Sequence, residues 1–252
     1  MRTIDLNADC GESFGPWAMG DDAAILKIVT TANIACGFHA GDPDTMVETL
    51  KLAKANGVAV GAHPGFEDKP GFGRRVIPMA PDAITRMVAY QLGAFMGMAA
   101  LAGVKVAHVK AHGALSNFAC ANREAADAIA KAVRAVCPSV TLLAVAATEL
   151  EKAGEAAGLT VASEIFADRA YESDGQLVSR AKPGAIIHEA EEAAARTVAM
   201  VKAGGVIARD GTVVKTPIHS ICVHGDNPHA VGVAAAVRSA LEAAGVRVAS
   251  FA

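Results

Sequence analysis

The stretch Ile34–Pro43, IACGFHAGDP, shows how a strand passes into a helix in this chain. An apolar run of the strand type leads to His39, and Asp42 and Pro43 follow shortly after. An aspartate directly before a proline is a typical helix start, because aspartate caps the first turn and proline fits the first helical position. The stretch therefore predicts a strand, a helix over 43–56 and, between them, a histidine at the carboxyl end of the strand.

The same order of strand and helix recurs along the whole sequence. Seven strands are predicted, at Thr3–Asp9, Ala32–Cys36, Val58–Ala62, Val106–Ala111, Val140–Val145, Thr160–Phe166 and Ser220–Val223. Seven helices are predicted, at 21–29, 43–56, 81–102, 122–136, 147–157, 184–203 and 228–244. Such regular alternation favours parallel βα units. It is interrupted at Val206–Lys215, where Asp210-Gly211 indicates a β-hairpin inserted before the last strand.

Polar residues at the ends of the predicted strands distinguish a barrel from an open sheet. All strands except the fifth lead into histidine, lysine, asparagine or acidic residues, and α/β barrels carry their functional groups at the carboxyl ends of several strands. A dinucleotide-binding sheet would instead carry one glycine-rich turn after its first strand, which the sequence GESFG does not match. We therefore predict an α/β fold, a distorted (β/α) barrel of about seven strands, in a single domain over 1–252.

Composition and charge exclude several classes of function. The chain has 252 residues, of which 52% are hydrophobic, and a formal net charge of -3. This balance favours neither nucleic acid nor an anionic membrane surface as a partner. The five cysteines form no C-x-x-C pair, which is typical of reduced thiols in a cytoplasmic protein.

The predicted helix 81–102 is unusually apolar. No charged residue lies between Arg86 and Lys105, but this segment falls slightly short of the ~20 apolar residues that a membrane-spanning helix needs. We interpret it as a helix whose apolar outer face is covered by another protein chain, which is either a second copy of this chain or a different protein.

The first strand carries acidic residues on its inward face. Asp5, Asn7 and Asp9 alternate along one side, and buried carboxylates are costly unless they are hydrogen-bonded or bind a ligand. We interpret Asp5 as structural and predict a functional role for Asp9. Glu12, on the following loop, fits either the same site or a simple turn.

The fourth strand places His108, Lys110 and His112 on one face. A lysine inside a barrel needs a charged partner or a ligand, and its expected role is to stabilise a developing oxyanion or to hold an anionic group. His112, at the strand end, is a further candidate, whereas His108 lies deeper and is interpreted as structural.

Two segments combine charges in a way that leaves alternatives open. Asp168-Arg169 is compatible with a local ion pair, or with a proton-transferring carboxylate beside a cation for a substrate carboxylate. Arg74-Arg75, in a long glycine-rich loop, fits either an anion clamp or a solvated pair.

Strand-end histidines also raise the question of a metal. His224 lies in ICVHGDNPH, which repeats the setting of His39. Together with two aspartates, the strand-end set suits Zn²⁺ or another divalent ion: His39, His63, His112, His224, Asp9 and Asp226. No H-x-x-x-H or H-E-x-x-H pairing occurs, so the spacing permits a metal without requiring one.

Six blocks of the sequence resemble the LamB/YcsF family, in the expected order: DLNADCGESFG, NIACGFHAGDP, GAHPGFEDKPGFGRR, VKAHGALSN, SEIFADRAY and ICVHGDNP. The resemblance covers essentially the whole chain. It implies a seven-stranded β/α barrel of the glycoside hydrolase and deacetylase type, and cleavage of 5-oxo-L-proline to L-glutamate. It also implies ATP as co-substrate and two partners, the B and C subunits of a bacterial 5-oxoprolinase.

Transferred block by block, the resemblance implies a catalytic set of Asp9, Glu12, His39, His63, Lys110, His112, Asp168 and His224. If a divalent metal is bound, its expected ligands are Asp9, His39 and His63. The candidates for substrate binding are Asn7, Arg74, Arg75, Glu164, Arg169 and Asp226. Two alternatives stay open: a metal-dependent amidohydrolase or deacetylase that acts alone, and a non-catalytic subunit that holds a metabolite.

Overall fold

The structure is a computed structural model that describes residues 2–224 and 230–251. Its strands are β1 (Thr3–Cys10), β2 (Thr31–Ala35), β3 (Ala59–His63), β4 (Val106–Val109), β5 (Thr141–Val145), β6 (Thr160–Phe166), β7 (Gly205–Ile207), β8 (Val213–Lys215), β9 (Ser220–Val223) and β10 (Arg247–Val248). Its α-helices are α1 (Asp22–Ile25), α2 (Pro43–Ala55), α3 (Pro81–Ala102), α4 (Gly113–Ala121), α5 (Arg123–Val136), α6 (Glu149–Ala156), α7 (Ala190–Ala203) and α8 (Ala230–Ala243).

Seven parallel strands close into a barrel, as predicted. They follow the order β1-β2-β3-β4-β5-β6-β9, and β9 returns to pair with β1. The predicted hairpin is confirmed as the antiparallel pair β7–β8, inserted between α7 and β9. The short strand β10 pairs with β1 at its amino-terminal end, through Thr3 and Ile4.

The helix starts follow the capping chemistry of the sequence. Asp42 Oδ1 accepts a hydrogen bond from the Thr45 N–H at 2.8 Å, and Pro43 occupies the first turn of α2. The same carboxylate accepts a bond from the Gly15 N–H at 2.8 Å through Oδ2. Asp42 therefore serves local structure, as its position before a proline indicates.

Several predicted boundaries differ from the structure. α1 has four residues where nine were predicted, and α4, directly after β4, was missed because its apolar run lacks a polar cap. α7 begins at Ala190 rather than at 184, since the preceding segment pairs with the loop after β6, where the Ile187 N–H bonds to the Asp168 carbonyl. The predicted start of the last helix at 228 lies outside the described residues.

The apolar outer face of α3 is exposed. Tyr90 is 67% and Leu101 73% accessible to solvent, while Ile84, Leu92 and Phe95 are buried on the opposite side. Among the described helices, none is both long and apolar enough to cross a membrane. A second chain that covers this face stays a prediction.

The interior of the barrel is polar at its amino-terminal end. Asp5 is 1% exposed and accepts hydrogen bonds from the hydroxyl groups of Thr30 at 2.5 Å, Thr31 at 2.8 Å and Ser220. These bonds fit the structural role that was predicted for Asp5, because they replace the water that a buried carboxylate loses.

Replacing Asp5 with asparagine should change how stability depends on pH. Burial raises the pKa of Asp5 from 3.8 to about 6, despite the hydrogen bonds that lower it. A carboxyl group with a raised folded-state pKa stabilises the fold below its unfolded pKa and loses this contribution as the pH rises through the folded pKa. Relative to wild type, Asp5→Asn should therefore gain up to about 3 kcal/mol of unfolding free energy between about pH 4 and pH 8. Chemical denaturation across this range measures the gain, and a pH-independent difference would contradict it.

Close packing at Gly61 gives a second prediction. A Cβ atom at Gly61 would lie 2.4 Å from the ring of His108, which is fully buried and bonded through Nε2 to Asn33 Oδ1 at 2.7 Å. Gly61→Ala should lower the free energy of unfolding by about 1–3 kcal/mol, because the ring has no room to move. The control is Gly93→Ala in α3, where nothing lies within 4 Å of the added carbon; it should stabilise by about 0.5–1 kcal/mol. Equal changes in denaturation midpoint would refute the packing argument.

Candidate active site

A cavity of about 490 Å³ opens at the carboxyl end of the barrel. Eight of the predicted site residues line it: Asp9, Glu12, His63, Arg74, Lys110, His112, Arg169 and His224. They come from the ends of β1, β3, β4, β6 and β9 and from the loops that follow. The strand-end pattern in the sequence therefore marks one shared site, as expected for a barrel.

Lys110 forms the centre of the charge network below this cavity. Its Nζ lies 3.0 Å from Asp9 Oδ1 and 3.0 Å from Glu164 Oε1, and it also contacts Cys222 Sγ at 3.0 Å. Burial disfavours the ammonium, but the Asp9 carboxylate, the Cys222 sulfur and the Glu164 carboxylate outweigh it and hold the pKa of Lys110 well above its ordinary value. Lys110 therefore carries a positive charge at the floor of the cavity.

Asp9 is the carboxylate that this lysine keeps ionised. Burial raises the pKa of Asp9, but His63 and Lys110 outweigh burial and hold it well below the usual range. Asp9 Oδ2 lies 3.3 Å from His63 Nε2, so the carboxylate joins Lys110 to the histidines above it. A carboxylate with so low a pKa is a weak base, and it is better suited to orient water or to support a metal than to remove a proton.

Asn33 fixes Asp9 from the neighbouring strand, and the sequence analysis missed it. Its Nδ2 donates to Asp9 Oδ1 at 2.9 Å and to Asn7 Oδ1 at 2.7 Å, while its Oδ1 accepts from His108. A signal was present in TANIA, where Thr31 and Asn33 alternate on the inward face of β2.

Glu12, His39, His63 and His112 form a compact cluster beside Asp9. One ligand atom from each lies within 4.8 Å of the others, and all four residues are buried. The rings of His39 and His112 stack with centroids 3.6 Å apart. Glu12 Oε1 lies 3.4 Å from His39 Nε2 and 3.6 Å from His112 Nδ1.

Backbone carbonyls fix the tautomers of two of these histidines. His63 Nδ1 lies 2.8 Å from the Lys110 carbonyl, and His112 Nε2 lies 2.9 Å from the Phe72 carbonyl. A carbonyl oxygen only accepts, so each of these nitrogens donates its proton. The remaining nitrogens, His63 Nε2 and His112 Nδ1, face each other at 3.1 Å. Burial lowers the pKa of His112 to about 3, so its Nδ1 presents a lone pair at neutral pH.

This geometry fits a divalent metal. His63 Nε2 and His112 Nδ1 lie close enough to each other to serve as two ligand atoms of one cation. Neither ring nitrogen of His39 hydrogen-bonds to a described residue, and carbonyl groups behind ligating histidines are the usual second layer of a metal site. The predicted ligands were Asp9, His39 and His63; the structure groups Glu12 and His112 with the two histidines and leaves Asp9 at the edge.

His224 and Asp168 form a second acid–base pair. His224 Nδ1 lies 2.7 Å and 2.9 Å from the two carboxylate oxygens of Asp168, and its ring stacks on Phe166. Burial raises the pKa of Asp168, but the charge and hydrogen bond of His224 outweigh it, so the pKa lies below its ordinary value. His224 lines the cavity and Asp168 lies behind it.

The three predicted arginines differ in position. Arg74 lines the cavity with its guanidinium 5.0 Å above the Phe72 ring. Arg169 lines it too, but Nη2 donates to the Val178 carbonyl at 2.7 Å and Nε to that of Ala185 at 3.3 Å. Arg75 is bonded to Asp68 and lies outside the lining.

Other predicted residues lie below or behind the cavity. Asn7 and Glu164 are buried one layer beneath it, where Asn7 Nδ2 donates to Glu164 Oε1 at 2.9 Å. His39 lies behind His112. Asp226 lies outside the described residues. Arg180, a loop residue that also lines the cavity, was not predicted, because no sequence pattern around it marks it.

The closed parallel barrel, with acids, histidines and a lysine at its carboxyl end, defines a β/α-barrel protein with a candidate active site at the ends of its strands. A family model matches residues 4–252, and the chain belongs to the LamB/YcsF family.

Individual relatives agree with this assignment over their full length. The chain is 58% identical to the A subunit of 5-oxoprolinase from Rhodopseudomonas palustris, over 99% of this chain and 98% of the relative. It is 48% identical to a solved lactam utilization protein from Thermus thermophilus, with a TM-score of 0.93 and full coverage of both chains. A GH113 β-mannanase from Alicyclobacillus acidocaldarius, 14% identical, has a TM-score of 0.50 over 96% of this chain and 98% of its own, which supports the barrel fold alone.

The histidine cluster predicts measurable metal binding. After dialysis against Zn²⁺, elemental analysis of the wild-type chain should find about one equivalent of metal, as expected for a single site. Glu12→Gln and His112→Asn should each weaken binding by more than about tenfold, since loss of even an outer-layer partner costs that much. His188→Asn, at an exposed histidine, is the matched control. A wild-type chain without metal, or variants that bind it equally well, would contradict the assignment.

Proposed function

We propose that this protein is the A subunit of a 5-oxoprolinase and opens the lactam ring of 5-oxo-L-proline to give L-glutamate. The full-length identity to proteins of that name supports the substrate. The observation that supports the chemistry is that Asp9, Lys110 and His224 line one cavity. Asp9 is paired with Lys110, and His224 is bonded to Asp168 behind it. Ring opening of an unactivated amide needs a positioned water, a polarised carbonyl group and a proton for the leaving nitrogen.

Three residues that line the cavity divide this work. Asp9 orients the attacking water, and the Lys110 ammonium stabilises the oxyanion that forms on the carbonyl oxygen. His224 delivers a proton to the ring nitrogen through Nε2. Asp168, which lines no part of the cavity, holds the His224 ring in place from Nδ1.

Glu12, His39, His63 and His112 are the residues that would hold a metal in this site. A divalent ion there would supply Lewis-acid polarisation of the carbonyl group. The role of these side chains would be to hold their four ligand atoms close together beside Asp9. The backbone carbonyls of Lys110 and Phe72 keep two of the rings in their orientation.

The proposal includes ATP as co-substrate and the B and C subunits as partners. Phosphorylation of the lactam oxygen would make the carbonyl carbon a better electrophile, so that water attacks more readily. The names of the relatives support a multi-subunit enzyme. Its compartment would be the cytoplasm, which agrees with the five free, buried cysteines.

Asp9→Asn tests the catalytic role directly. With 5-oxo-L-proline, ATP and the B and C subunits, the variant should release glutamate at least about 100-fold more slowly than wild type, because the positioned carboxylate is lost. Asp127→Asn is the control, since Asp127 is an exposed aspartate paired with Arg123. Circular dichroism checks that both variants fold. Unaltered turnover in Asp9→Asn would remove Asp9 from the site and favour a protein that only holds the metabolite.

The histidine cluster favours a second candidate, a metal-dependent amidohydrolase that acts alone. The two candidates differ in their requirement for partners. Ring opening by this chain without B, C and ATP, abolished by chelation and restored by Zn²⁺, would support the second candidate and overturn the proposal of a multi-subunit enzyme.

A further inference from the structure

Arg180 lies at the second acid–base pair of the cavity. Its Nη2 lies 3.2 Å from His224 Nε2. The loop that carries it is tethered two residues earlier, where the buried Val178 bonds through its N–H to the Ala170 carbonyl at 2.9 Å and through its carbonyl to Arg169. Arg180 itself is exposed and lines the cavity. A fixed loop thus presents a guanidinium group to the nitrogen of His224 that faces the cavity.

This contact assigns hydrogen-bonding roles to the two ring nitrogens of His224. The carboxylate of Asp168 only accepts, so His224 Nδ1 carries a proton. A guanidinium group only donates, so Nε2 accepts from Arg180 and carries a lone pair. Arg180 is therefore hydrogen-bonded to His224 Nε2, the atom from which His224 would deliver a proton to the nitrogen of the lactam ring.

We propose that Arg180 is the receptor for the carboxylate of the lactam substrate, and that binding of this carboxylate draws Arg180 away from His224 Nε2. The inference rests on the proposed function. A guanidinium–carboxylate pair carries two charge-assisted hydrogen bonds, each stronger than a bond from a guanidinium to an uncharged ring nitrogen. The exchange frees Nε2 to take the proton that the attacking water releases and then to give the same proton to the leaving ring nitrogen. A lactam without a carboxylate cannot form this pair, so Arg180 keeps its hydrogen bond to His224.

The other arginines are less suited to this exchange. Arg169 already donates to two carbonyl groups of the same loop, and Arg75 is bonded to Asp68 outside the cavity lining. Arg74 stacks on Phe72, next to the histidine cluster rather than to His224. Of these four arginines, Arg180 is the one whose guanidinium bonds to His224 within the described residues.

Binding to the purified chain tests the receptor role without turnover. Isothermal titration should show that wild type binds 5-oxo-L-proline at least tenfold more tightly than 2-pyrrolidone, the same ring without a carboxylate, as for one lost charge-assisted bond. Arg180→Gln should lose this preference while its affinity for 2-pyrrolidone stays the same, and Arg180→Lys should keep part of it. Arg123→Gln, at an exposed arginine paired with Asp127, should behave as wild type. Absence of the preference in wild type, or its survival in Arg180→Gln, would overturn the proposal.

The imidazole nitrogens of His224 report the exchange itself. In ¹⁵N spectra at constant pH, 5-oxo-L-proline should shift the Nε2 signal of wild type, and 2-pyrrolidone should leave it unchanged. His224→Asn identifies the signal by its loss. If 5-oxo-L-proline binds but the chemical shift of Nε2 does not change, Arg180 remains hydrogen-bonded to His224 and the proposal is wrong. Because neither experiment needs ring opening, failure of the glutamate assay would refute the proposed function without deciding the binding result.

Discussion

A lysine ammonium inside a closed barrel is the constraint on which the site depends. Lys110 is 4% exposed, and its charge is matched by the carboxylates of Asp9 and Glu164 at 3.0 Å each. Removal of one partner from such a buried group would leave an uncompensated charge, which typically costs about 3–5 kcal/mol. The barrel therefore holds an ammonium and an ionised carboxylate side by side at the cavity floor, and both are fixed before a ligand arrives.

One ammonium cannot keep two buried carboxylates equally ionised. The pKa of Asp9 is held low, whereas burial raises that of Glu164 above its ordinary value. The difference has a geometric basis, because Asp9 also receives Asn33 Nδ2 and lies beside His63, while Glu164 has Asn7 as its further donor. Negative charge is thus concentrated on the carboxylate that lines the cavity. The polar residues beneath the cavity therefore fill the barrel and also keep the negative charge on Asp9 rather than on Glu164.

The sequence allowed prediction of the barrel and of the strand-end residues, but not of the bonds between them. Alternating βα units and polar strand ends are local patterns, so they place His63, Lys110 and His224 at one end of a closed sheet. The pairing of Glu12 with His112 joins residues about a hundred positions apart, and no local spacing records it. Arg180 was missed for the same reason, because its role depends on where the loop returns to the barrel.

Within the described part of the chain, the three histidines that line the cavity are each held by a hydrogen-bond acceptor behind the ring. The Lys110 carbonyl holds His63, the Phe72 carbonyl holds His112, and the Asp168 carboxylate holds His224. Two acceptors are neutral carbonyls, as is usual behind histidines that ligate a metal. The third is an ionised carboxylate, as is usual behind a histidine that transfers protons. The acceptors behind the three rings thus agree with the two roles proposed above, a metal site for His63 and His112 and proton delivery for His224.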